Sequence, residues 1–111
     1  MEIKERISRG LRIVYPIGRF DANEAPNFAK WIDAHVTADS PDIIVNMGGT
    51  SFVDSAGLAA LVTGLKRCRS FDGDLYLCQL QPAVTVVIEL TRLDKVFKIY
   101  EDEQDALAAV K

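Results

Sequence analysis

One segment of the sequence combines a hydroxyl group with a predicted helix start. It reads T-S-F-V-D-S-A-G-L from position 50, and Ser55 follows Asp54 directly where a helical pattern begins. The first turn of a helix has unpaired backbone N–H groups and a partial positive charge. A phosphate on Ser55 would be stabilised there, and it would add about −1.5 to −2 charges to the surface. The segment is therefore suited to reversible phosphorylation that breaks a contact without unfolding the protein.

The same two residues also have a purely structural explanation. Aspartate and serine are common N-cap residues, because their side-chain oxygens accept hydrogen bonds from the first free N–H groups of a helix. On local sequence alone, a cap without further function is the more frequent outcome for such a pair. The choice between the two interpretations depends on the rest of the chain.

The other reactive side chains do not form a catalytic or metal-binding pattern. His35 is the single histidine, no second ligand type clusters near it, and no third group can be named that would orient it toward Ser55. Gly48-Gly49 precede a helix start, but the spacing G-x-x-x-x-G-K-[ST] of phosphate-binding loops is absent. We expect no enzymatic activity, no cofactor and no metal. Four acidic residues are predicted to form a solvated helix start, namely Glu101, Asp102, Glu103 and Asp105.

Strands and helices alternate along most of the chain. The helices are indicated by apolar residues at three- and four-residue steps, and the strands by short β-branched runs. The order is β-β-α-β-α-β-α-β-α, which predicts an α/β fold with a mixed, mainly parallel sheet of about five strands and about four helices. Residues 48–51 are predicted to be a loop. The predicted strands cover 3–7, 11–17, 42–47, 75–80 and 96–100, and the predicted helices cover 21–36, 54–69, 83–91 and 102–110.

The overall composition is that of an ordinary folded protein. Hydrophobic residues make up 49% and charged residues 26% of 111 residues, which suits one domain over 1–111. The net charge of −3 and the lack of a clustered basic face argue against nucleic-acid binding. Neither a signal peptide nor an apolar run of the ~20 residues that span a bilayer is visible, so we expect a cytoplasmic protein without membrane insertion. Cys68 and Cys78 are expected to be buried and reduced.

The sequence resembles the STAS domain family over nearly its whole length. The resemblance rests on F-V-D-S-A-G-L-A-A-L at 52–61, G-R-F-D-A-N-E-A-P at 18–26, I-I-V-N-M at 43–47 and L-T-R-L-D-K-V-F-K-I-Y at 90–100. The last block is similar to the segment that precedes the final strand in the anti-sigma factor antagonist branch of this family. That resemblance implies the STAS fold and a non-enzymatic role in partner switching, which regulates transcription.

The resemblance also implies roles for individual residues. Ser55 corresponds to the serine that an anti-sigma factor kinase of the GHKL type phosphorylates. The unphosphorylated antagonist binds this kinase, phosphorylation ends the binding, and a PP2C-type phosphatase restores it. Asp21 and Asn23 are implied to lie near the serine. The predicted partner-binding face consists of Asp21, Asn23, Thr50, Ser51, Asp54, Ser55, Ala56 and Gly57.

Two positions depart from the family pattern. Asn46 stands where the family often has an aspartate near the end of the central strand. It can still form hydrogen bonds, but it carries no charge. Ala56 stands where a serine or threonine is frequent, so Ser55 has no adjacent hydroxyl that competes for a phosphate.

Two other functions are compatible with the sequence. One is an accessory STAS subunit of a stress-signalling or lipid-transport assembly, in which Ser55 would only cap a helix. The other is a small-molecule sensor or weak enzyme that uses a pocket near residues 48–55. Co-purifying partners would identify the first, and ligand-dependent thermal stabilisation would identify the second.

Overall fold

The first hairpin follows directly from the sequence. Arg9 and Gly10 both have positive φ, 54° and 77°, as the two central residues of a type I′ turn require. They connect strand β1 (Glu2–Ser8) to strand β2 (Leu11–Phe20), and the two strands pair antiparallel along all of β1. The hairpin predicted at this turn is confirmed, with both strands longer than expected.

The computed structural model describes residues 1–110. The predicted order of elements holds except for one additional strand before the second helix, and a 3₁₀ turn precedes the last strand. The remaining elements are α1 (Ala25–His35), β3 (Ile43–Asn46), β4 (Thr50–Val53), α2 (Ser55–Ser70), β5 (Leu75–Cys78), α3 (Pro82–Leu90), the 3₁₀ turn (Leu93–Lys95), β6 (Lys98–Tyr100) and α4 (Glu103–Ala109).

The sheet is mixed and mainly parallel, as predicted. Its strand order is β1-β2-β3-β5-β6, and β4 pairs with β2 outside this path. Strand β1 is antiparallel to β2, whereas the β2–β3, β3–β5, β5–β6 and β2–β4 pairs are parallel. Helices cross over between the parallel strands, which is the arrangement that alternating strands and helices require.

The sheet has six strands instead of about five, because residues predicted to be a loop form β4. Beyond Gly18 the register of β2 shifts, and its last residues leave the main sheet and pair with β4. Thr50 is fully buried there, and its hydroxyl donates a hydrogen bond to the Pro16 carbonyl at 2.5 Å. Strand β4 was not predicted because a glycine pair precedes it and because its four residues show no simple alternation of polar and apolar residues.

Helix α1 begins four residues later than predicted. The Asp21 carbonyl accepts hydrogen bonds from the N–H groups of Glu24 at 3.0 Å and Ala25 at 2.8 Å, so residues 21–24 form a turn. The Asp21 carboxylate also accepts the N–H of Asn23 at 3.1 Å. Pro26 follows in the first turn of α1, where its missing N–H costs little. Asp21 therefore stabilises a turn before the helix and is not its N-cap residue.

Alternation along β2 divides the apolar side chains between the two faces of the sheet. Val14 points to the face that α1, α2 and α3 cover, whereas Ile13 points to the face that α4 covers. The larger core lies under the three helices and includes Phe28, Leu61 and Ile88. This core fixes α2, and therefore the position at which Ser55 begins that helix.

Both cysteines are buried, as the sequence predicts. Cys68 lies on α2 and Cys78 at the end of β5, and neither forms a disulfide. Burial raises the pKa of each thiol to about 12. Both side chains are therefore protonated near neutral pH and pack as small apolar groups.

Candidate partner-binding site

Asp54 is the N-cap residue of α2, as predicted. Its Oδ1 accepts the Gly57 N–H at 2.9 Å, and its carbonyl accepts the Leu58 N–H at 2.9 Å. Ser55 and Ala56 are the first two helical residues, and the first N–H groups of a helix have no carbonyl within it to bond. The start of α2 thus presents the Ser55 side chain beside two N–H groups that its own helix leaves free.

The second oxygen of Asp54 connects α2 to the loop after β2. Its Oδ2 accepts the Ala22 N–H at 3.1 Å, and the Asp54 N–H donates to the Phe20 carbonyl at 3.2 Å. The loop that contains Asp21 and Asn23 therefore lies against the start of α2. One aspartate positions both segments of the site.

Gly57 allows α2 to approach the end of β2 closely. A Cβ atom at this position would lie 2.3 Å from the Phe20 carbonyl oxygen, which is far inside van der Waals contact. Phe20 is itself fixed in the core, where its ring lies 4.9 Å from that of Phe28. The glycine of the D-S-A-G-L segment thus sets the distance between the helix start and the loop.

The structure separates the predicted partner-binding face into accessible and inaccessible residues. Thr50 is fully buried beneath β2, and Gly57 is buried against Phe20, so neither offers a side chain to a partner. These two residues support the site from below and do not belong to its surface. Hydrogen bonds of Asp54 bring the loop with Asp21 and Asn23 to the start of α2, whereas Ser51 lies on the preceding strand β4. Asn23, Ser51 and Ser55 are exposed, and Asp21, Asp54 and Ala56 are partly exposed.

Two residues that were not predicted for the site lie beside it. The Arg19 guanidinium lies 4.0 Å from the centroid of the Phe52 ring, and its Nε lies 3.9 Å from Asp21 Oδ2. Phe52 is a large apolar residue, yet 37% of it is exposed. The reason is the β2–β4 pairing, which places Phe52 opposite Arg19 while Val53 fills the core. Only recognition of β4 as a strand could have identified this cation–aromatic pair.

The charges around Ser55 have mixed signs. The carboxylates of Asp21 and Asp54 accept backbone N–H groups of the loop and the helix start. The Arg19 side chain is 64% exposed and lies on the far side of Asp21. A phosphate on Ser55 would be attracted by the helix start and repelled by two nearby carboxylates. The site therefore tolerates a phosphate, but its local charge would change sharply.

Asn46 is a buried residue at the end of the central strand β3, and its side chain forms three hydrogen bonds there. Its Nδ2 donates to Gln79 Oε1 at 3.1 Å and to Glu103 Oε1 at 3.0 Å, and its Oδ1 accepts the Gly48 N–H at 2.9 Å. The residue is 7% exposed. An amide fits between a carboxylate and an N–H group because it both donates and accepts. An aspartate here would face Glu103, so the departure from the family pattern has a structural reason.

Glu103 is not the solvated helix-start residue that the sequence suggested. Its side chain is 13% exposed, accepts the Tyr15 hydroxyl at 2.6 Å and forms an ion pair with Arg6. Burial alone would raise the pKa of Glu103, but hydrogen bonds from Tyr15, Asn46 and Arg6 outweigh it and hold that pKa below its ordinary value. Asp102 does cap α4, since it accepts the Asp105 N–H at 2.9 Å. Within the acidic segment, Glu103 thus attaches α4 to the sheet and Asp102 caps the helix.

His35 has structural partners on its own helix. Its Nδ1 lies 2.8 Å from the Trp31 carbonyl oxygen, and its ring stacks on Trp31 at 4.3 Å.

Within residues 1–110, no three His, Cys, Asp or Glu side chains are grouped so that they could hold a metal ion. No helix in the same range has the length and apolarity needed to cross a membrane.

Comparison with known proteins agrees with this architecture. Residues 2–106 match the STAS domain model. BtrV of Bordetella bronchiseptica, described as an anti-sigma factor antagonist, is 26% identical over 92% of this chain and 88% of its own length. A crystal structure from Thermotoga maritima with the same description has a TM-score of 0.91 and 27% identity, and it covers 97% of this chain and 93% of its own. An anti-sigma factor antagonist from Mycobacterium paratuberculosis has a TM-score of 0.88 and 28% identity, over 98% and 92% of the two chains.

Proposed function

This chain belongs to the STAS domain family, and we propose that it acts as an anti-sigma factor antagonist controlled by phosphorylation of Ser55. In the unphosphorylated state it binds an anti-sigma factor kinase of the GHKL type in the cytoplasm and thereby releases a sigma factor. The kinase phosphorylates Ser55 and lets go, and a PP2C-type phosphatase resets the protein. The relatives that share this fold over most of their length are described as anti-sigma factor antagonists, which supports the general role.

The observation that carries the proposal is the position of Ser55. Its side chain is exposed as the first residue of α2, and Asp54 fixes both that helix start and the neighbouring loop. A kinase needs an accessible hydroxyl on a surface that it already contacts. The exposed Phe52, three residues before Ser55 on β4, supplies apolar area for such a contact.

A phosphate would act mainly through the partner. Contact would desolvate a group with about −1.5 to −2 charges, and burying an uncompensated charge is costly. The surface already carries the carboxylates of Asp21 and Asp54 together with the exposed Arg19 guanidinium. Phosphorylation therefore weakens the complex unless the partner supplies additional cations.

A phosphorylation assay with matched variants tests the proposal. We expect the cognate kinase and ATP to label the wild-type protein and not Ser55→Ala. Ser70→Ala is the control, because Ser70 is an exposed hydroxyl at the opposite end of α2, outside the predicted partner-binding face, and this variant should be labelled normally. Equal labelling of Ser55→Ala would contradict the proposal. A Ser55→Ala protein with normal function in the cell would favour the accessory-subunit role.

A further inference from the structure

A groove of about 790 Å³ lies between α3 and β6, at the edge of the sheet opposite β1. Its accessible apolar surface comes from Leu80 and from Ile99 of β6, which are partly exposed, whereas the lining residues Ile88 and Phe97 are buried beneath it. Helix α3 packs against β4 and against the 3₁₀ turn, which hold it in place beside the strand. None of the residues predicted to form the partner-binding face lines the groove, so it is a separate feature.

The rim of this groove is acidic. Glu89, Asp94 and Glu101 line it, and its lining residues include no lysine, arginine or histidine. Within residues 1–110, neither Glu89 nor Glu101 takes part in an ion pair. Asp94 has Lys95 at 4.0 Å, but 80% of the Lys95 side chain is exposed and its charge is well solvated. The groove therefore combines a small apolar floor with three lining carboxylates, whereas the cations of the same segment, Arg92, Lys95 and Lys98, lie outside its lining.

Strand β6 has a free edge next to the groove. It is the last strand in the order β1-β2-β3-β5-β6, and within residues 1–110 it pairs with β5 alone. An edge strand presents unpaired backbone N–H and C=O groups. A helix and an edge strand with a groove between them form an arrangement to which an extended peptide adds a strand. Alternate side chains of the added strand then point into the groove.

We propose that this groove binds an extended basic segment of a partner protein, which adds a strand to β6. Apolar side chains of the segment pack on Leu80 and Ile99, and its lysine or arginine side chains pair with Glu89 and Glu101. Charge complementarity selects this occupant. A second copy of the chain would bring two acidic rims together, and an acidic segment would be repelled. Because β6 has three residues, the added strand is short and the affinity modest.

Peptide titration of the ¹⁵N-labelled protein tests the proposal. The probe is a blocked heptapeptide, Thr-Lys-Thr-Val-Thr-Lys-Thr, in which lysine and valine lie on the same face of an extended strand, and its control has glutamate in place of each lysine. We expect the lysine peptide to shift backbone resonances of residues 85–101, with binding that weakens as salt is added. The double variant Glu89→Gln, Glu101→Gln should bind it at least about threefold more weakly, as expected for the loss of two exposed ion pairs.

A matched variant separates local charge from net charge. Glu2→Gln with Asp39→Asn removes two exposed carboxylates far along the chain from the groove, and this protein should bind as the wild type does. The proposal is overturned if the lysine peptide causes no shifts at 85–101 or if the glutamate peptide binds equally. It is also overturned if arginine amide reproduces the shifts and affinity, which would indicate a pocket for small cations. Dimerisation through β6 in sedimentation would identify a second copy as the occupant instead.

Discussion

At the scale of single residues, Asp54 connects the two segments of the candidate site. One carboxylate oxygen caps α2 through Gly57, and the other holds the loop after β2 through Ala22. The sequence predicted the cap from residue type alone, because aspartate before an apolar helix is a strong N-terminal signal. It could not predict the second hydrogen bond, which joins residues 32 positions apart.

Asp54→Ala should lower the free energy of unfolding by about 1–2 kcal/mol, since it removes an N-cap. Urea denaturation measures this loss. Asp54→Asn is the matched control, because its one carbonyl oxygen can cap α2 but its amide cannot accept the Ala22 N–H. We expect the Ala22 amide to exchange its hydrogen faster in both variants than in the wild type. Of the two variants, only Asp54→Asn should keep the Gly57 amide protected. Equal stability of Asp54→Ala and the wild type would refute the double role.

Gly57→Ala should destabilise the protein by about 1–3 kcal/mol, as overpacking in a fixed core does. The added Cβ would lie 2.3 Å from the Phe20 carbonyl oxygen, which belongs to the backbone and cannot turn away. Gly64→Ala on the same helix is the control, because its Cβ would meet the Leu75 Cδ1 at 3.2 Å and a flexible side chain can adjust. A smaller loss for Gly57→Ala than for Gly64→Ala would show that this close approach is not required.

At the scale of secondary structure, the elements that sequence patterns predicted well are those with one apolar face. Helix α2 begins at Ser55, one residue after its predicted start, and α3 begins at Pro82, one residue before its predicted start, because caps and proline mark helix starts clearly. Strand β4 was missed because four residues after a glycine pair show no period. Its pairing with the bent end of β2 is a tertiary contact, and so is the exposure of Phe52 that follows from it.

The contacts that attach α4 to the sheet also could not be predicted from the local sequence. Glu103 follows a cap residue and looks solvated in the sequence, yet it binds Tyr15 and Asn46 across the sheet. Its role depends on β2 and β3 lying side by side under α4, which no window of the sequence contains. The sequence therefore predicted the helix but not what fastens it.

The lowered pKa of Glu103 gives the stability a specific pH dependence. A carboxyl group whose pKa is lower in the folded state stabilises the fold above its unfolded pKa, about 4.3 for glutamate. This contribution is lost as the pH falls through the folded pKa. Urea midpoints should show wild type more stable than Glu103→Gln at pH 7, with the difference shrinking below about pH 4. A constant difference across this range would contradict the account.

Asn46→Asp tests the same network from its centre. The new carboxylate would face Glu103 Oε1, which lies 3.0 Å from the Asn46 amide, and would remove a donor from it. We expect lower stability at pH 7, together with partial recovery in acid as one carboxyl group takes up a proton. The pair Asn46→Asp, Glu103→Gln should recover stability at neutral pH, and a failure to do so would place the damage elsewhere. Thermal unfolding of the three proteins measures this.

At the scale of the whole molecule, the site is a surface supported by a packed core. Phe20, Phe28 and Leu61 lie beneath the loop and helix that form it, and all three are fully buried. We therefore expect a change of charge at Ser55 to act on the surface and to leave the fold intact. Residues 2–106 form the STAS fold with its relatives, whereas the assignment of 1–111 to one domain stays a prediction.

The free energy of unfolding of Ser55→Asp should lie within about 1 kcal/mol of the wild-type value. A carboxylate at a helix start is favourable, whereas the negative charge of the nearby Asp54 opposes it. Circular dichroism during urea denaturation checks this. Ser51→Asp is the control, since it adds the same charge on β4. A loss of several kcal/mol for Ser55→Asp alone would mean that charge at Ser55 disrupts the structure and not only a contact.

The affinity of the anti-sigma factor kinase for the two forms of this protein tests the central claim most directly. Calorimetric titration would compare unphosphorylated protein with protein phosphorylated at Ser55, each of intact fold. We predict that the phosphate weakens binding at least about a hundredfold, since leaving a charge uncompensated at a desolvated contact costs several kcal/mol. Equal affinity of the two forms would contradict the switch, and Ser55 would then be a helix start without a regulatory role.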